Sequence, residues 1–167
     1  MIGKNCFPYV PDFSIINLHR LKHIEIGDGS FASKCERVTT ASYGTFEIRN
    51  CSRLEMIQMD RCAFTQYARL AISELPSLRS LTIGNQFDSY SFYRAPAFTL
   101  TGNGNDDNGG DDGGDDDDGD NDDVLMDIDL PALEELSLGT MAFAKVQTIL
   151  LNSMSSSISP LFSFTLR

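Results

Sequence analysis

Apolar residues recur along this chain in two kinds of short burst. The first alternates apolar and polar positions: "FSI" at 13–15, "FEI" at 46–48, "LAI" at 70–72 and "FTL" at 98–100. "VLMDID" at 124–129 does the same in a shifted register. Period two is the mark of a half-buried strand. The second burst has the frame L-x-x-[IL]-x-[ILM]. It lies in "NLHRLKHIEIGDGSF" from Asn17, "NCSRLEMIQMDRCAF" from Asn50, "ELPSLRSLTIGNQFD" from Glu74 and "DLPALEELSLGTMAF" from Asp129. These segments align without gaps. Leu21, Leu54, Leu78 and Leu133 form one column, Ile24, Ile57, Leu81 and Leu136 the next, and Ile26, Met59, Ile83 and Leu138 the third. Gly27, Gly84 and Gly139 close three copies, with Asp60 in the fourth. A phenylalanine follows: Phe31, Phe64 and Phe143, with an aromatic-rich variant at Phe87, Tyr90 and Phe92. Each unit therefore predicts two short strands on two walls, with a phenylalanine filling the corner. The turns Leu75-Pro76 and Leu130-Pro131 fit between the walls, since proline sets φ and gives up an N–H the turn does not need.

The spacing makes this a repeat. The step from Leu21 to Leu54 is 33, from Leu54 to Leu78 it is 24, and from Leu78 to Leu133 it is 55. From Gly102 to Asp123 the chain holds only 7 Gly, 4 Asn and 11 Asp. Removing that tract turns the step of 55 into 33, so it reads as an insertion into one coil. One coil cannot bury its apolar edge alone, and stacking coils makes the core continuous. The expectation is a mostly β fold, with α/β the alternative: a solenoid of about four coils over 13–150. A lead-in at 1–12 precedes it. A serine-rich connector and a partial fifth coil at 151–167 follow it, opened by "FSFTLR" at 162–167.

Charge changes the picture less than its total suggests. The net charge is −11, but 11 of the 24 acidic residues lie in the tract, leaving 13 acids against 13 Lys and Arg. No basic patch calls for nucleic acid. "MIGKNCFPYVPDF" has no apolar signal region, and no run approaches a membrane span, so the expected place is the cytoplasm. Four cysteines without secretory context read as reduced thiols. Asn50-Cys51-Ser52 then carries little weight as an N-glycosylation acceptor.

"LPSLRSLTIG", "LPALEELSLG" and "NCSRLEMIQM" resemble the leucine-rich repeat family. More narrowly, they are similar to repeat arrays of unassigned function in some single-celled eukaryotes, with "F-x-I-x-N-C" before the strand. The resemblance covers about residues 13–150. It implies a curved parallel sheet and a binding surface, usually for protein, and no catalytic residues. The asparagine that closes the usual leucine-rich strand is missing here, which puts the usual asparagine ladder in doubt.

Candidate chemistry is thin. Cys51 and Cys62 fall in columns of small core fillers. His19 and His23, four apart, are the only close metal-type pair, and His19 sits in a turn column. "GDGSFA" from Gly27 resembles a dinucleotide fingerprint. The repeat explains its glycine, and no helix is expected after it. Asp118, Asp120 and Asp122 have the alternate spacing of a calcium loop, but Asp123 stands where glycine is needed. They are weak metal candidates. The favoured reading of 102–123 is a disordered, self-repelling loop; the alternative is weak binding of calcium or of a basic partner. No cofactor motif and no nucleophile or acid–base constellation is present, so an enzyme is not expected.

A ligand would meet the outward rows of the L-x-x-I-x-I strands: His23, Met56, Ser80 and Glu135, then Glu25, Gln58, Thr82 and Ser137. The leading expectation is a non-enzymatic protein-interaction module, its protein partner unnamed, with no membrane role. The alternative is a structural, uncapped fragment of a longer repeat array, prone to self-association through open ends.

Overall fold

The computed structural model describes residues 1–32, 44–85, 89–93, 95, 97–101, 125–128, 130–143 and 148–151. It is mostly β, with parallel sheets and no helix among these residues. The strands are β1 (Phe13–Ile16), β2 (His23–Ile26), β3 (Thr45–Arg49), β4 (Met56–Met59), β5 (Arg69–Ser73), β6 (Ser80–Ile83), β7 (Ala97–Thr101), β8 (Leu125–Ile128), β9 (Glu135–Leu138) and β10 (Thr148–Leu151). They form a first sheet in the order β1-β3-β5-β7-β8-β10 and a second in the order β2-β4-β6-β9. Every described pairing is parallel.

The columns read from sequence are the register of the second sheet. Ile24 pairs with Ile57, Ile57 with Leu81, and Leu81 with Leu136. In the first sheet Phe13, Phe46, Leu70 and Phe98 stand in one row, and Ile15, Ile48, Ile72 and Leu100 in the next. The inward side chains of β3 to β6 are fully buried. Each strand is too short to bury a face alone; neighbours above and below complete it.

One corner recurs four times. The N–H of Leu21 donates to the carbonyl of Leu18 at 3.0 Å, Leu54 to Cys51 at 3.0 Å, Leu78 to Leu75 at 3.1 Å, and Leu133 to Leu130 at 3.1 Å. Just before three of these corners, Asn17, Asn50 and Glu74 are left-handed, with φ of 60°, 51° and 54°. The amide of Asn50 donates to the Asn17 side-chain oxygen at 2.8 Å. A two-rung asparagine ladder therefore exists, at the end of the first-sheet strands. Asparagine suits this place because its short polar side chain tolerates φ > 0.

The opposite corner is built on phenylalanine. Phe7, Phe31, Phe64, Phe92 and Phe143 all have φ between 50° and 56°. Their rings stack in series: 5.3 Å from Phe7 to Phe31, 4.6 Å to Phe64, 5.1 Å to Phe92 and 5.3 Å to Phe143. Phe46 stacks on Phe64 at 4.4 Å and Phe98 on Phe143 at 4.4 Å, tying the spine to the first sheet. A left-handed residue with a Cβ costs roughly 1–2 kcal/mol. Burying a phenylalanine gains about 1.5–3 kcal/mol, and a ring stack adds about 0.5–1.5 kcal/mol. The packing terms win at the four buried positions. In the third pass it is Phe92 that takes the corner; Phe87 lies outside the described residues.

Residues 2–7 pack alongside β2 and the Phe31 corner. Ile2 bridges to Ile26 in parallel, and the N–H of Gly27 donates to its carbonyl at 3.0 Å. A Cβ at Gly27 would lie 2.8 Å from the Gly3 carbonyl carbon, so this close approach requires glycine. Ser30 Oγ donates to the Gly3 carbonyl at 2.6 Å and accepts from the Cys6 N–H at 3.2 Å.

Three expectations need correction or placing. Cys62 is disulfide-bonded, its partner outside the described residues, while Cys6 and Cys51 are free thiols. The four cysteines are therefore not all reduced; sequence spacing does not reveal which loops meet in space. The lead-in strand after the fourth corner lies at Thr148–Leu151, within and just past the expected boundary at 150, while 162–167 lies outside the described residues. The tract at 102–123 also lies outside them. It connects β7 to β8, two parallel neighbours that meet at Leu100 and Ile128, so the first sheet gains a strand the second does not have.

Candidate functional site

The outward face of the second sheet presents the two expected rows side by side. His23, Met56, Ser80 and Glu135 are in register, as are Glu25, Gln58, Thr82 and Ser137. The strand pleat decides this: Ile24, Ile57, Leu81 and Leu136 between the rows are buried. His23, Glu25, Gln58, Glu135 and Ser137 are exposed; Met56, Ser80 and Thr82 are half-buried. Ser80 Oγ donates to Glu135 Oε2 at 3.2 Å across neighbouring strands.

The rim beside these rows is a charged ladder. Lys22, Glu55, Arg79 and Glu134 occupy the position just before each strand. Lys22 Nζ lies 3.2 Å from Glu55 Oε1, and Arg79 Nη1 3.9 Å from Glu134 Oε1. The hydrogen bond and charge of Lys22 hold the Glu55 carboxyl below the usual carboxylate range, with His23 and Arg79 adding to the effect. At the other end of the strands Arg61 grips Asp28, with Nη2 to Oδ2 at 3.1 Å and Nε to Oδ1 at 3.5 Å. Such exposed pairs are each weak, and they orient the face more than they stabilise it. The ladder has a sequence signal that a hydrophobic frame does not capture: the residue after each column leucine alternates in sign.

A shallow cleft of about 150 Å³ opens where residues 1–4 meet the face, lined by Lys4, Glu25, Gln58 and Asp60 among others. It is smaller than the roughly 300 Å³ and upward typical of organic-ligand sites. Among the described residues no group of three His, Cys, Asp or Glu is placed to hold a metal ion. His19 stands exposed in the turn and His23 exposed on β2. Asp118, Asp120 and Asp122 lie outside the described residues. Cys51 is buried, and desolvation pushes its thiol pKa up, which keeps it protonated. Gly27 to Ala32 forms a turn at the phenylalanine corner, and residues 33–43, where a phosphate-binding helix would have to follow, lie outside the described residues. No described helix is long and apolar enough to cross a membrane.

Compared with known proteins, the chain matches no family model, no curated protein and no solved structure.

Proposed function

We propose that the chain is a leucine-rich-repeat-like solenoid acting as a non-enzymatic protein-interaction module, with the outward face of the second sheet as its contact surface. The carrying observation is the strict register of the two solvent-facing rows across β2, β4, β6 and β9. Parallel strands spaced by about 4.8 Å make a regular grid of short side chains, suited to a protein surface and too flat for a small molecule. The face carries no aromatic anchor, so binding would rest on polar complementarity from many positions.

The test is affinity capture from cell extract, wild type against a Glu25→Arg, Gln58→Arg, Thr82→Arg triple variant. All three positions are on the solvent side of the sheet, so the variant should keep the wild-type circular dichroism. A protein retained by the wild type and lost by the variant supports the face; equal retention by both places the partner elsewhere and overturns it.

A further inference from the structure

We propose that Asn50 carries an N-linked glycan. Asn50-Cys51-Ser52 is the only Asn-x-Ser or Asn-x-Thr in the sequence. Its weakness as an acceptor rested on the expectation of reduced thiols. Cys62, however, is disulfide-bonded and 0% exposed. A disulfide built into the core marks a chain folded in an oxidising compartment, because the cytosol keeps thiols reduced. Secreted chains folded in such a compartment are the ones that carry glycans on Asn-x-Ser.

The corner after β3 presents the acceptor. Asn50 is left-handed at φ 51° and stands just before the turn that the Leu54 N–H closes on the Cys51 carbonyl. Asn50 is half-buried and Ser52 exposed, while Cys51 between them is buried, so the two polar side chains of the acceptor stay at the surface. The other three corners offer no such triplet: Asn17 has His19 two residues on, and Glu74 and Asp129 hold the equivalent places. The Asn50 amide also has an N–H to give. A primary amide carries two. One donates to the Asn17 side-chain oxygen at 2.8 Å, in an exposed hydrogen bond. In the transfer the Nδ2–C1 bond to the sugar forms, the C1–O bond to the diphosphate of a lipid-linked sugar donor breaks, and one amide proton leaves to a base. The substituted nitrogen keeps one N–H, so the rung to Asn17 survives.

Mass spectrometry of the full chain, purified from the cells that make it, tests this. The peptide holding Asn50 is expected to carry a hexosamine-containing glycan. Peptide N-glycosidase in heavy-oxygen water should release it and leave a labelled aspartate. Alkylation of the denatured, unreduced chain should spare Cys62. Asn50→Gln and Ser52→Ala, made separately, should each lose the whole glycan mass. Ser52→Ala keeps the rung to Asn17 and should keep the wild-type circular dichroism, which separates loss of the acceptor from loss of the fold. An unmodified Asn50, a Cys62 that alkylates without reduction, or a glycan retained by Ser52→Ala would overturn the proposal. None of these readouts involves the outward face of the second sheet, so the two readings fail separately.

Discussion

In the second sheet Leu81 pairs directly with Leu136, from the far side of the tract, and the row runs on as though nothing intervened. Across the same interval the first sheet contains both β7 and β8, joined through the tract. One sheet skips the insertion and the other absorbs it. The columns of the second sheet are held by aliphatic side chains filling fixed places between neighbours. In the first sheet the extra parallel strand lies within the order, between β5 and β10, and each neighbour still has a strand to pair with. Regularity therefore belongs to the side chains that must touch, and not to the length of chain between them.

The sharpest way to break this comparison is through the spine that joins the sheets. Phe64 stacks on Phe46 of the first sheet and between the corner rings on either side. Phe64→Ala should cost about 3–5 kcal/mol, as for other buried phenylalanines. Urea unfolding should remain a single transition; two resolved transitions would mean the sheets are separable bodies.

A subtler change comes from deleting 102–123. Parallel neighbours need a crossover of roughly a dozen residues or more. Without the tract β7 and β8 cannot lie side by side, and one must leave the first sheet. Hydrogen exchange should then show lost protection in one of those strands alone. Ile57, Leu81 and Leu136 should stay as protected as before, and a fall in their protection would show that the second sheet depends on the insert.

The smallest expected effect is on the rim. Glu55 has its pKa lowered in the folded state, so its contribution is present above the usual carboxylate pKa. It is lost as pH falls through the lower folded value. The difference in melting temperature between wild type and Glu55→Gln should be slight at neutral pH, shrink to nothing in acid, and fade with added salt. A difference that grows in acid would contradict the ladder.

Much of the second sheet is legible because L-x-x-I-x-I states which side chains face inward, and a parallel register follows once the copies are aligned. The outward rows follow from the same frame. Other features leave a fainter signal: "MIGKNCF" matches "EIGDGSF" at Ile2, Gly3 and Phe7, and Asn17 and Asn50 precede equivalent corners. The two strands β7 and β8 are visible as the alternating bursts "FTL" and "VLMDID", but their pairing in one sheet is not, because subtracting the tract restores the period whether or not the preceding strand stays in place. Nor could composition announce left-handed phenylalanines. The residue normally avoids φ > 0, and only the stacked environment makes it favourable here.

The phenylalanine corners also mark where the chain is free to vary. From corner ring to the next first-sheet strand the numbering advances by 15 between Phe31 and Phe46, but only by 6 between Phe64 and Leu70 and by 6 between Phe92 and Phe98. From the first-sheet phenylalanine to the corner ring it advances by 18 in both Phe13–Phe31 and Phe46–Phe64. From Leu70 to Phe92 it advances by 22, and from Phe98 to Phe143 by 45, of which the tract supplies 22. Length is thus taken up on both sides of the corner ring, and every row it leads into still arrives on time.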